Sequence, residues 1–429
     1  MDKSSAGKLY IKKRTVSEWM MLFIFFFPAA QAFLTELLPI PDAIKFLCDV
    51  FLVLLLLKLF SQRFTKIDNY SMPFVVIVGL FFFITLVGYL FNYQSVFYYL
   101  WGLRNNIRMF VAFFAFAYLA DWEDAKGWIK ALDVLFVINF AVVILQYFSG
   151  YGQDYIGGIF GTSKGCNGSL LIFLCIVFAK TILSFMRGEE KMSKCIFVSV
   201  ASLLVSTLSE LKMFFILFIL ILFMASFMTA NSIKKTLFFA FGAVLVVLFG
   251  TLLTVLYKDF TDFLSFDSLI KALTDTGYAT DEDIGRFTAL PVISQRFLPG
   301  FFRKLFGLGL GNCDSSSLSM FNTPFFESHQ TVHYSYFSYA FLFLETGFVG
   351  LALYASFFVA SFFVSRKLKK LEMADEFACQ MSIILSVISL ILLVYNSSLR
   401  MEIGFMLFFV LALPIISANE QRESDDVYI

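Results

Sequence analysis

The sequence predicts an all-α polytopic membrane protein of about 12 transmembrane helices, with one large external loop containing short helices. Three observations carry this. Of the 429 residues, 59% are apolar and 15% charged, whereas a soluble domain holds about 45–50% and about 25%. A soluble fold of this size could not hide so much apolar surface and keep a wet exterior. Stretches free of Asp, Glu, Lys and Arg recur along the chain, most of them near the roughly 20 residues a crossing needs. Finally, Lys and Arg gather in alternate connections, as inner loops require. This composition excludes a soluble enzyme, a secreted disulfide scaffold and a disordered chain. The net charge of +1 gives no basic field for a nucleic acid.

Taken in order, the first span, near 17–35, follows Lys3, Lys8, Lys12, Lys13 and Arg14. Ala30-Gln31-Ala32 has the small-residue pattern of a signal-peptide site, but the run reads as an uncleaved span. The second, near 43–60, contains Lys45 and Asp49 and leads to Lys58, Arg63 and Lys66. Spans near 73–91 and 106–120 lead to Lys126 and Lys130, and spans near 129–148 and 168–186 to Arg187, Lys191 and Lys194. A hairpin of spans near 195–209 and 211–229 ends at Lys234 and Lys235, before the span near 235–257. The stretch 333–364 counts as one crossing, although Glu345 and Gly347 mark a break in it; Arg366, Lys367, Lys369 and Lys370 follow. Spans near 377–397 and 401–417 complete the set, before Arg422. With the N-terminus inside, 20 of the 33 basic residues fall in inner segments and 11 in outer ones. Both termini are therefore expected in the cytoplasm. The chain divides into residues 1–257 with nine spans, the loop 258–332, and residues 333–429 with three spans and a tail.

Other signals exclude more. No internal repeat suggests an inverted-repeat transporter, and no GxxxxGK[ST] loop suggests ATP hydrolysis. Gly307, Gly309 and Gly311 follow no strand, so they are no dinucleotide fingerprint. The six cysteines form no CxxC pair and read as small apolar filler; only Cys166 and Cys313 are placed for an external bridge.

The outer loop segregates its charge. Asp259, Asp262, Asp267, Asp275, Asp281, Glu282 and Asp283 come first; Arg286, Arg296, Arg303 and Lys304 follow, with no acid between 284 and 313. Either the two halves neutralise each other, or the basic half faces an anion. Arg104 and Arg108, spaced i, i+4, share a helix face at the outer, N-terminal end of an inward-running span. The helix dipole and the positive-inside bias both disfavour cations there. No acid lies near them in sequence, so an external anion or lipid phosphates would relieve them. Glu210 and Lys212 occupy a turn so short that they must lie at or below the membrane surface; they form a local ion pair or a functional site. His329 and His333, the only histidines, are also spaced i, i+4 and face one way if helical. A proton acceptor at a membrane mouth, a structural hydrogen bond and, less favoured, a metal site with Glu327 are the readings. These unusual charges gather at the outer surface rather than at midspan.

Gly285-Arg286, Ala289-Leu290-Pro291 and Leu305-Phe306-Gly307-Leu308-Gly309-Leu310-Gly311-Asn312, followed by His333 and Glu345-Thr346-Gly347-Phe348-Val349-Gly350, resemble the outer-loop signature of the O-antigen polymerase and O-antigen ligase superfamily. The resemblance covers residues 285–350 as sequence and the whole chain as topology. It implies glycan transfer from an undecaprenyl-pyrophosphate carrier at the outer leaflet of the bacterial cytoplasmic membrane. Arg286 matches the loop arginine that holds the pyrophosphate. Lys212 matches a second basic residue, usually Arg in ligases, and lacks its bidentate fork. His333 lies about one turn further from the E-x-G element than the family pattern.

The expected activity is a metal-independent polysaccharide polymerase without cofactor. Its donor and acceptor are carrier-linked glycans, and its partners are the bilayer, a chain-length regulator and a repeat-unit flippase, with no nucleic acid. His333 and His329 are the expected catalytic pair. Arg286, Lys212, Arg104, Arg108, Arg296 and Glu210 are expected to bind pyrophosphate or glycan. A ligase is the second reading, and a flippase or transporter, which would place charges at midspan, the third.

Overall fold

The computed structural model describes residues 14–38, 40–62, 68–163, 165–229, 233–256, 284–315 and 322–427. Of the charges named above, Lys3 to Lys13, Arg63, Lys66 and the acidic stretch Asp259 to Asp283 lie outside these residues. Among the described residues every regular element is helical and no strand forms.

The helices are α1 (Val16–Ala32), α2 (Phe46–Gln62), α3 (Met72–Phe91), α4 (Val96–Leu119), α5 (Trp122–Phe148), α6 (Cys166–Met186), α7 (Met192–Leu208), α8 (Lys212–Met228) and α9 (Ile233–Leu256). Three short helices follow: α10 (Ala289–Arg296), α11 (Phe301–Phe306) and α12 (Pro324–His329). The chain then returns to long ones: α13 (Ser338–Lys370), α14 (Glu376–Tyr395) and α15 (Gly404–Val427). Seven are long and apolar enough to cross a membrane: α1 with its π-helical extension, α3, α5, α6, α13, α14 and α15. Helices α7 and α8, and the Ala240–Leu252 part of α9, are shorter apolar ones.

Local chemistry sets several ends. Thr15 caps α1: its hydroxyl accepts the Glu18 N–H at 3.4 Å, and the Glu18 carboxylate accepts the Thr15 N–H at 2.7 Å. Asp375 caps α14 by accepting the Ala378 N–H at 3.0 Å. The start of α1 and the last turns of α15 lie on one face, where Thr15 and Glu18 line a pocket with Asn419, Arg422 pairs with Asp68 at 3.1 Å and Asn419 donates to the Ala117 carbonyl. The described loop residues 284–337 lie on the other, called the loop face below.

Apart from Lys180 near its end, helix α6 is apolar on every side, and 89% of its span is buried, against 22% for α3. A helix with so narrow a polar face belongs at the centre, and α6 is the hub of the bundle. Phenylalanine fills the spaces between helices: Phe110, Phe357 and Phe408 stack with ring centroids 4.8 to 5.8 Å apart. Where helices approach closely, small residues bridge them. Ser382 takes contacts from Ser361 at 3.1 Å and Ser365 at 2.9 Å across α13 and α14.

One expectation changes, one break falls where the sequence marked it, and one open pairing is decided. The helix expected to begin near 333 begins at Ser338, because His333 sits at φ +58° and Phe337 is extended. Helix α13 is broken at Gly347 (φ +66°, ψ −168°), so its first turns form a separate buried segment. The external cysteine bridge does not form. Cys166 and Cys313 are both buried and free: the Cys166 thiol points at the Asp154 carbonyl, and Cys313 is sealed beside Glu345.

Candidate functional site

The site begins with the break in α13. A helix interrupted at Gly347 leaves carbonyls without their usual partners. The glycine run supplies donors: Leu308 N–H binds the Leu344 carbonyl and Gly309 N–H the Glu345 carbonyl, both at 2.9 Å. This contact is backbone on backbone. A Cβ on Gly347 would lie 2.3 Å from the Leu305 carbonyl carbon, and one on Gly311 2.0 Å from the Tyr98 carbonyl oxygen. The glycines at 307, 309 and 311 therefore let the loop sink between α3, α4 and α13. Gln94 fixes it by donating to the Leu310 carbonyl at 2.6 Å.

Glu345 lies under this loop, fully buried, with one oxygen accepting the Cys313 N–H at 3.0 Å and the other without a hydrogen bond. It braces the loop and is closed off from solvent. Burial, with Glu345 and Asp314 beside it, holds the Cys313 thiol well above its ordinary pKa. The Tyr334 hydroxyl donates to the Cys313 carbonyl at 2.6 Å and completes the brace.

Next to this platform stands Arg286. Its Nε donates to the Tyr395 carbonyl at 3.2 Å, and its guanidinium lies over the Tyr395 ring at 4.6 Å and the Phe337 ring at 5.6 Å. No carboxylate pairs with it among the described residues. Asn396, at the end of α14, accepts from the N–H and hydroxyl of Ser338 and so locks α14 to the start of α13. Lys212, at the start of α8, pairs with Glu210 at 3.2 Å and lies within electrostatic reach of Arg286 and Asp154. The turn is tight enough to hold Glu210 at φ +54°. Thus residues 74 positions apart in the sequence, Lys212 and Arg286, share one neighbourhood.

A backbone bond from Ile284 N–H to the Val332 carbonyl at 3.2 Å lays the Arg286 segment beside the His333 segment. The two histidines do not share a helix face, contrary to their spacing. His329 ends α12, donates from Nδ1 to the Phe325 carbonyl at 3.1 Å, and stacks on Phe325. His333 stands between two 3₁₀ turns in the left-handed region, its ring 4.6 Å from that of Tyr336. Arg296 is exposed at the end of α10, over Phe297 at 5.6 Å. Glu327 and the histidines do not form a metal-spaced group among the described residues. One carboxylate group with that spacing, Glu18, Asp121 and Asp124, lies on the opposite face.

Arg104 and Arg108 need no external anion. Arg104 binds Asp49 of α2 through two nitrogens, at 2.7 and 2.9 Å. Arg108 binds Glu402 at 2.9 Å and the Arg400 carbonyl at 3.0 Å. Asn105 donates to Asp314 at 2.6 Å, and Arg400 lies 3.5 Å from Asp314, extending the network. Their acids come from positions 49 and 402, so local sequence concealed the pairing. Arg108 lies about 18 Å along α4, and its partners Arg400 and Glu402 lie in the turn between α14 and α15, so this pair belongs to the loop-face end of the bundle. Other site residues missed in the sequence are Tyr395 and Asn396: nothing about the end of an apolar helix marks them as the seat of an arginine. Comparison with known proteins finds no matching family model and no matching curated protein.

Proposed function

We propose that this protein is a membrane glycosyltransferase that polymerises carrier-pyrophosphate-linked repeat units at the outer face of the bacterial cytoplasmic membrane. Twelve crossings with both termini in the cytoplasm are part of this reading; it places the loop face outside. The observation that carries it is the convergence of Arg286 and Lys212 beside His333. Arg286 is held by a carbonyl and two aromatic faces, none of which cancels its charge. A pyrophosphate would complete that coordination with charge-assisted hydrogen bonds.

The chemistry follows from these groups. The acceptor hydroxyl oxygen attacks the anomeric carbon of the donor, and the bond from that carbon to the pyrophosphate oxygen breaks. The electron pair leaves with the carrier pyrophosphate, whose growing charge Arg286 and Lys212 stabilise. The hydroxyl proton passes to His333. Buried Glu345 fits a brace better than a competing base. A ligase acting on a lipid acceptor would use the same groups. A carrier would instead be expected to hold its charged groups at midspan, away from the loop face. The test is purified protein in lipid with carrier-linked repeat units. Lengthened glycan with released carrier pyrophosphate supports the polymerase, and movement of intact repeat units across the bilayer without bond exchange supports the carrier.

A further inference from the structure

On the face that holds the start of α1 and the last turns of α15, α5, α6 and α14 line a cavity of about 320 Å³. Four cations line it: Lys126, Lys130, Lys180 and Arg187. Its acids are already engaged. Glu189 accepts from Arg187 Nε at 2.8 Å, Glu190 pairs with Lys194, and Asp375 caps α14. Glu123, just outside, pairs with Lys126. Lys180 is only 4% exposed and must share Asp133, at 2.5 Å, with Lys194, at 2.8 Å. Arg187 keeps a buried Nη1 without any hydrogen-bond acceptor. Lys130 is exposed and forms no ion pair among the described residues. Donors without acceptors around a cavity call for an anion, since each unmet buried donor costs stability.

The remaining wall identifies the anion's class. Beside Ser184, it consists of Trp122, Ile129 and Phe377, an apolar surface that a free anion could not use. Lys126 and Lys130 are spaced i, i+4, and the same face of α5 continues through Val134, Val137 and Ile138, exposed by 62%, 53% and 47%. Two cations at the helix end and an apolar stripe below them match a headgroup phosphate above acyl chains. Basic pockets between membrane helices hold anionic lipid headgroups by this arrangement.

We propose that this cavity binds the phosphate of an anionic phospholipid whose acyl chains lie along α5. The site is separate from the loop face and independent of the proposed transferase activity. Because α6 and α14 run from this cavity to the loop face, an occupying lipid ties together the helices that carry the candidate site. The test is native mass spectrometry and thermal melting of the full-length protein with phosphatidylglycerol, phosphatidylcholine or inorganic phosphate. Phosphatidylglycerol is expected to stay bound and raise the melting temperature, and the other two are not. Lys126→Gln with Lys130→Gln should weaken phosphatidylglycerol binding about 30-fold, with unchanged melting in phosphatidylcholine. Lys191→Gln, on the same face but outside the cavity, should leave binding intact. Equal retention of the two lipids, undiminished binding by the double variant, or an equal loss with Lys191→Gln would overturn the proposal. Displacement of phosphatidylglycerol by millimolar inorganic phosphate would overturn its lipid assignment.

Discussion

At the scale of single residues, the proposed chemistry rests on Arg286 and His333. Arg286→Lys keeps the charge but loses the planar group that stacks on Tyr395 and donates through Nε. Both Arg286→Lys and Arg286→Ala should abolish long polymer at normal protein levels, because losing a partner in a charged contact costs about 2–5 kcal/mol. Gel analysis of polymer length beside immunoblots of the protein checks this. His333→Ala should slow turnover about 10²–10⁴-fold while donor still binds; His329→Ala should be milder, since its ring is committed to Phe325. Single-turnover kinetics separate the two steps, and full turnover by the double His329→Ala, His333→Ala variant would remove both from the mechanism. The basic half of the loop made Arg286 legible in the sequence. The pairing of Arg104 and Arg108 was not, because their carboxylates arrive from α2 and from the turn before α15, and only packing reveals them.

At the scale of elements, the glycine run and the α13 break form one joint. Its parts could be read from the sequence as a motif, but its purpose could not, because a glycine's value lies in the backbone that approaches it. Gly311→Ala would set a Cβ against the Tyr98 carbonyl in a left-handed conformation (φ +81°). Overpacking of this kind costs typically about 1–3 kcal/mol. The variant should melt at lower temperature and lose activity, whereas Gly127→Ala, with open space around it, should do neither; melting curves in detergent give the comparison. The histidine spacing misled for a related reason. A left-handed residue at His333 ends the helical register that the i, i+4 pattern assumes. Glu402→Gln should destabilise by about 3–5 kcal/mol, because it leaves the buried Arg108 charge unpaired. If the melting temperature does not change, the pair is not structural.

At the scale of the whole molecule, composition alone identified a helical membrane protein, because no soluble fold tolerates so apolar a chain. Sidedness rests on loop charge and is directly testable. All six native cysteines are buried, so background labelling should be low. Gln295→Cys, on the loop face, should react with an impermeant thiol reagent applied to intact cells, and Glu372→Cys should not; the reverse pattern would invert the topology. The central claim is that the loop face exchanges a glycan from carrier pyrophosphate under the control of Arg286. Its most direct measurement follows carrier pyrophosphate release and glycan length together, in purified protein reconstituted with carrier-linked repeat units. Wild type should release one carrier pyrophosphate per repeat added, and Arg286→Ala should release almost none while retaining its melting temperature. Polymerisation by Arg286→Ala at the wild-type rate, or no glycan transfer by the wild type in any lipid, would contradict the account.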